Sequence, residues 1–428
     1  MRLLAKEETP SDWTSKKIGS YVLGHKGGAA LRPSDFSDAG FPVIPKKAIQ
    51  PNGELLIESP TYCTNEFAIN NKRSIVDNTY TITTLRDLVP TGPTIGTVVN
   101  FTSEDKYILS QGVYGLKLNS DLDKKYLSYL SNTAFYRKVM QRIMVGSTQV
   151  HIRTPEYLDL EIQIPPLPEQ QKIAKILSTW DKAISTTERL IENSTQQKKA
   201  LMQQLLTGKK RLLDKSGKRF EGEWEEVSLG DISKYQKGYT YKSSEYSEDK
   251  TSYGFLTLKS ILRGGGYSAS GIKYLLASVD DKFAVKSGDV VFAVTDLTRN
   301  AEVVGAPIFV PELEFEKAYI SMDLIKLEMK PSVDKLFIYY LLQLAANRNF
   351  MRARASGSTV LHLDVKGSKK LKLRMPKLVI EQQKIATVLT NADKEIELLK
   401  QQLADFQQEK KALMQQLLTG KVRVLVDG

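Results

Sequence analysis

The sequence predicts an α+β protein built twice. It should contain two related globular α+β domains, separated by a long antiparallel two-helix coiled coil, with a pseudo-twofold internal repeat. Three observations predict this. Glu169-Gln170-Gln171-Lys172-Ile173-Ala174 recurs as Glu381-Gln382-Gln383-Lys384-Ile385-Ala386. The run from Lys198 to Lys209 recurs without change from Lys410 to Lys421, at the same spacing. The stretches before these segments diverge, yet they share scattered anchors: Trp13 and Trp224, Arg137 and Arg348, Gly146-Ser147-Thr148 and Gly357-Ser358-Thr359, His151 and His362. A repeat found at this level organises the whole chain.

Taken in order, the expected units are a first domain over 1–165 and a helical region over 166–208. A linker over 209–222, a second domain over 223–377, and a second helical region with its tail over 378–428 follow. Strands are expected at Tyr107 to Leu109, Val113 to Leu118, Val290 to Val294, Val303 to Val310 and Asp323 to Leu327, where β-branched and aromatic residues cluster. One helix per domain is expected, from Asp123 to Ile143 and from Asp334 to Arg354, with each aspartate as the N-cap.

The repeated segments lack Pro and Gly between Glu169 and Thr207, and between Glu381 and Thr419. Gly208 and Gly420 stand where C-terminal caps belong. Apolar residues recur at alternating spacings of four and three. The first copy gives Ile173, Leu177, Trp180, Ile184, Ile191, Leu201 and Leu205. The second gives Ile385, Leu389, Ile396, Leu403, Phe406, Leu413 and Leu417. This is a heptad seam. Polar seam positions (Thr187, Ser194, Lys198 and Lys410) should fix register. The second domain begins just after the first helix and ends just before the second. A compact domain of that size cannot return the chain along a helix of about 60 Å, so the helices should be antiparallel.

Charge points to a polyanionic partner. Lys plus Arg number 61 against 49 acids, a net charge of +12. The two helical segments are nearly neutral, so the excess lies in the domains, linker and tail. Candidate contacts in the first domain are Lys26, Arg32, Arg73, Arg86, Arg137, Arg142, Ser147 and Thr148. In the second they are Lys237, Lys242, Arg263, Arg299, Arg348, Arg352, Arg354, Ser358 and Thr359. The arginines on the late helix of each domain and the Gly-Ser-Thr turn that follows suit phosphate contact. Surface loops with basic and aromatic residues suit base edges.

Several chemistries find no support. One cysteine, Cys63, excludes a disulfide framework. The three histidines form no metal-binding pair. There is no phosphate loop, no base-modifying Asn-Pro-Pro-aromatic segment and no nuclease-like acidic cluster. The N-terminal residues lack an apolar core and no apolar run reaches 18 residues, so a cytoplasmic, non-membrane protein without metal or cofactor of its own is expected.

Pro165-Pro166-Leu167-Pro168-Glu169-Gln170-Gln171-Lys172-Ile173 and the Leu201 to Gly208 ending, with their second copies, resemble the specificity subunit of type I restriction–modification systems. The second copy departs from the pattern at Met375-Pro376-Lys377-Leu378-Val379-Ile380, which lacks two of the prolines. The resemblance spans essentially the whole chain. It implies that the domains are target recognition domains, each reading half of a bipartite, asymmetric double-stranded DNA site; half-sites read from one side of the duplex should have centres about one helical turn, roughly 10 bp, apart. It also implies that the helices set the spacer and dock two methyltransferase subunits, which use S-adenosylmethionine to methylate adenine N6. Restriction subunits, with ATP and Mg2+, would join through them. Two other readings remain at this point: a coiled-coil adaptor that binds no DNA, and a self-sufficient DNA-modifying enzyme.

Overall fold

The computed structural model describes residues 10–298 and 300–425. These form two compact units: residues up to Glu188 together with those from Gln401 onward, and Arg189–Lys400.

In the first unit a four-stranded antiparallel sheet runs in the spatial order Val22–Gly27, Val113–Leu118, Tyr80–Thr84, Val98–Asn100. A five-stranded sheet has the order Phe36–Ser37, Thr61–Cys63, Phe41–Ile44, Tyr107–Leu109, Ile75–Val76, with one parallel pair. Arg86–Asp87 pairs with Val150–His151, and Thr14–Lys17 pairs with Glu161–Ile164.

The second unit repeats this topology with one added strand, Ala355–Ser356, which pairs with Leu361–Leu363. Its four-stranded sheet is Ser233–Lys237, Leu324–Met329, Val290–Ala293, Pro307–Phe309. Its five-stranded sheet is Tyr246–Ser247, Ile272–Leu275, Tyr253–Leu256, Lys317–Ile320, Ala284–Val285, again with one parallel pair. Thr295–Asp296 pairs with Leu361–Leu363, and Trp224–Ser228 with Lys372–Pro376. The stretches that diverge most in sequence therefore share one topology, because burial pattern rather than residue identity specifies the sheets.

Two expectations are corrected. Each single helix is two: Lys124–Ser131 and Ala134–Ile143 in the first unit, Lys335–Gln343 and Ala345–Arg352 in the second. Thr133 (ψ 149°) and Leu344 (ψ 137°) are extended, which breaks the i→i−4 ladder. The N-caps are as expected, with Asp123 accepting from Tyr126 N–H and Asp334 from Phe337 N–H. The strand expected over Val303 to Val310 shortens to Pro307–Phe309, because the preceding residues close a loop.

Leu167–Leu205 and Val379–Leu417 are unbroken helices of 39 residues each. They stop at Gly208 and Gly420, whose φ values of 73° and 74° favour glycine. In the first unit Trp180 packs edge-on to Phe406, Lys410 pairs with Asp181, and Arg423 forms a forked ion pair with Glu169. In the second unit Lys198 pairs with Asp393 and Arg211 with Glu381. Within each unit the paired segments thus run antiparallel. Of the seam residues, Ile173, Leu177, Leu205, Ile385, Leu389, Ile396 and Leu417 are buried. Trp180, Ile184, Ile191, Leu201, Leu403, Phe406 and Leu413 are half-buried.

The helix ends belong to the heads. In the first unit Ile173, Ala174, Leu177, Leu417 and Leu418 join the core that holds Tyr126, Tyr136 and Tyr157. In the second unit Leu205, Leu206, Ile385, Ala386 and Leu389 do the same. A three-part bond welds each head to its helix pair. Tyr129 donates to Asp181, which also pairs with Lys410, and Lys410 lies over the Tyr129 ring. Tyr340, Asp393 and Lys198 repeat this in the second unit. Burial, helped by the carboxylate partner, raises both tyrosine hydroxyls well above the usual range.

Candidate nucleic-acid interface

In each head a hydrogen-bonded surface segment follows the short strand Arg86–Asp87 or Thr295–Asp296. Asp87 is buried. It accepts from the Thr94 N–H and hydroxyl and pairs with Lys46. Asp296 is buried and accepts from the N–H groups of Thr298, Val303 and Val304. Burial alone would raise both carboxyls, but these hydrogen bonds outweigh it and hold each below its ordinary 3.8.

Arginines close the loops from beneath. Arg137 donates to the carbonyls of Ile95, Gly92 and Pro93 and to the Thr97 hydroxyl. In the second head two side chains divide this role, with Arg348 donating to Glu302 O and Arg352 to Ala301 O. Two positions repeat the same unusual backbone. Gly92 and Ala301 have φ of 56° and 51°, and Gly96 and Gly305 have 72° and 67°. Ala301 is the one described non-glycine residue with positive φ, and such strain persists only where surroundings enforce it.

The frame is thus common to both heads while the span it holds is not. Val89-Pro90-Thr91-Gly92-Pro93 stands in one, and Thr298 to Glu302 in the other. Each span is preceded by an exposed leucine, Leu88 at 61% and Leu297 at 68%. A rigid scaffold that presents unlike tips is the arrangement of a recognition surface.

This geometry redistributes the residues expected from sequence. Arg137 and Arg348 do not present free guanidinium groups to a partner. Arg348 is 4% exposed, and burial, with Arg352 beside it, pulls its pKa down to about 10. Arg352 is bonded to the loop, and Arg354 lies on the Phe350 ring. Lys26 is half-buried, donating to Ile75 O and lying over Tyr80. The sequence hid this, because Arg137 and Arg348 bond acceptors more than forty residues away and nothing local separates them from the exposed Arg142.

Arg142, Ser147 and Thr148 are exposed, and Arg86 reaches Gln149 in the same turn. Ser358 and Thr359 are exposed in the equivalent turn. Arg263 pairs with Glu302 at the loop tip, and Lys237 is exposed. Arg32, Arg73 and Lys242 lie in exposed turns beside the five-stranded sheets, apart from the loop frame. Arg299 lies outside the described residues. Sequence reasoning missed Asp87 and Asp296. The signal was the repeated Asp-Leu pair at 87–88 and 296–297, displaced by two positions from the surrounding repeat.

Two copies of one fold, each with a fixed loop frame and an unlike tip, define a duplicated recognition protein. The sequence matches the type I restriction modification DNA specificity domain twice, over 10–194 and 221–407. It is 26% identical over 428 residues to the type I restriction enzyme MjaVIII specificity subunit of Methanocaldococcus jannaschii, covering 97% of this chain and 94% of the relative. It is 30% identical over 346 residues to the putative MjaX specificity subunit of the same organism, covering 77% and 76%. The crystal structure of the type I restriction–modification S subunit from M. genitalium shares the fold, with a TM-score of 0.57 at 16% identity over 97% of this chain and 98% of that one. The chain belongs to the type I restriction–modification specificity subunit family. Its role is DNA recognition and not catalysis.

Proposed function

We propose that each head reads one half of a bipartite, asymmetric duplex site through its framed loop, 88–96 or 297–305, and the neighbouring Gly-Ser-Thr turn. Arg142, Ser147, Thr148, Arg263, Ser358 and Thr359 contact the DNA alongside these loops. The observation that carries this reading is the shared frame with unlike tips: one docking geometry serves two different half-sites.

The long helices set the number of base pairs between the halves and dock two copies of one methyltransferase subunit. Identical sequence in both repeats supports this, because Lys199 and Gln203 on one helix and Lys411 and Gln415 on the other are equivalent and exposed. Equivalent surfaces fit identical partners. Those partners supply S-adenosylmethionine-dependent adenine-N6 methylation, and restriction subunits with ATP and Mg2+ join through them in the cytoplasm. Among the described residues no helix is long and apolar enough to cross a membrane.

The test is to exchange residues 14–160 for the corresponding head of another specificity subunit and sequence the methylated motifs of the host. One half of the motif should change. A change in both halves, or in neither, overturns the proposal.

A further inference from the structure

Each head contains a basic groove next to its framed loop. In the first head it measures about 550 Å3 and is walled by Arg86, Gln111, Gln149, His151, Arg153 and Thr154. In the second it measures about 530 Å3 and is walled by Lys237, Thr295, Asp323, His362, Lys366 and Lys369. They occupy the same place in the repeated fold. His151 faces Arg86 across one strand pair, and His362 faces Thr295 across its counterpart. Arg86 and Thr295 each immediately precede the buried aspartate that holds the loop.

The walls differ while two properties persist. Both grooves keep an exposed histidine, accounting for two of the three in the chain. Both also keep the same net charge with histidine neutral. Arg86 and Arg153 give +2 in the first, and three lysines less Asp323 give +2 in the second. Asp323 is engaged by the Thr295 hydroxyl at 3.0 Å. A group common to two heads that read unlike half-sites cannot discriminate between those half-sites. It fits a contact that every duplex offers, the backbone phosphate.

We infer that each groove seats a DNA phosphodiester. Its histidine and basic wall contact the phosphate oxygens and fix the duplex in register beneath the adjoining loop. The inference rests on the DNA-recognition reading above and deepens it.

The test uses the full-length chain assembled with its partner subunits and a duplex carrying the host's methylated motif. Binding is measured across a salt series for the parent, Arg153→Gln and Lys366→Gln. Both side chains are exposed, so unchanged melting temperatures serve as the folding control. Each variant should reduce the slope of log affinity against log salt by roughly one and leave the motif unchanged. His151→Ala and His362→Ala should weaken binding roughly threefold to tenfold for matched and mismatched duplexes alike. An unchanged slope with unchanged affinity overturns the inference. So does an altered motif at an unchanged slope, which would make the groove a base reader. A parent complex with no preference for its motif overturns the recognition reading, and this inference with it.

Discussion

Arg137 and Arg142 lie on the same short helix, yet the first is bonded into the framed loop and the second is exposed. Arg137 donates four hydrogen bonds to the loop beneath which it lies, at 2.8 Å to Gly92 O, 2.9 Å to Pro93 O and 3.1 Å to the Thr97 hydroxyl, with Ile95 O as the fourth acceptor. Hydrogen bonds to a charged group contribute about 1.5–3 kcal/mol each, but they are not additive, and desolvation of the guanidinium offsets part of the sum. Arg137→Ala strands these acceptors, at about 1–3 kcal/mol for each one left buried and unpaired, and should therefore cost about 3–5 kcal/mol in all. For a unit of this size, that lowers the melting transition by roughly 10 °C. Arg142→Ala should cost no more than about 0.5 kcal/mol, as for most surface substitutions, while weakening DNA binding. Calorimetry on the purified chain, paired with a duplex shift assay, separates the two. Arg137→Ala melting within about 1 °C of the parent, or Arg142→Ala melting several degrees lower, would refute this division of roles.

Two further outcomes follow from the same frame. Gly96→Ala and Gly305→Ala should each destabilise their head by about 2 kcal/mol or more, because φ is positive and the new Cβ would meet Met140 Sδ at 2.3 Å or Met351 Cβ at 2.5 Å; urea titration measures the loss. Asp87 and Asp296 have carboxyls held below 3.8 in the folded state, so their contribution is present above that value and lost as pH falls through the lower folded values. Acid titration should therefore loosen both loops below about pH 3.8. Asp87→Asn should flatten that dependence in the first head as read by amide exchange at 88–96.

What could be read from the sequence divides along physical lines. The long helices and their glycine ends were legible because their signals are local: heptad spacing, absence of breakers and a cap residue within one turn. Asp123 and Asp334 were legible for the same reason. The loop frame was not, because Arg137 meets acceptors more than forty residues away in sequence. Nothing local distinguishes such an arginine from Arg142, which stays exposed. The break at Leu344 carried no signal either, since a leucine in an amphipathic run argues for continuation. Topology was only half legible: the two heads share a strand order that their residues do not display, since alternating burial survives substitutions that erase identity.

If the heads choose the bases and the helices choose the distance between them, the two properties should be separable in one molecule. Inserting one heptad at matched positions in both long helices keeps the seam in phase and adds about 10.5 Å of rise. Motif sequencing of host DNA methylated by this variant reads both properties at once. Both half-sites should be unchanged and the spacer longer by about three base pairs, at roughly 3.4 Å per base pair. Active methylation with the parental spacer, or with altered half-sites, would show that the helices do not measure the gap.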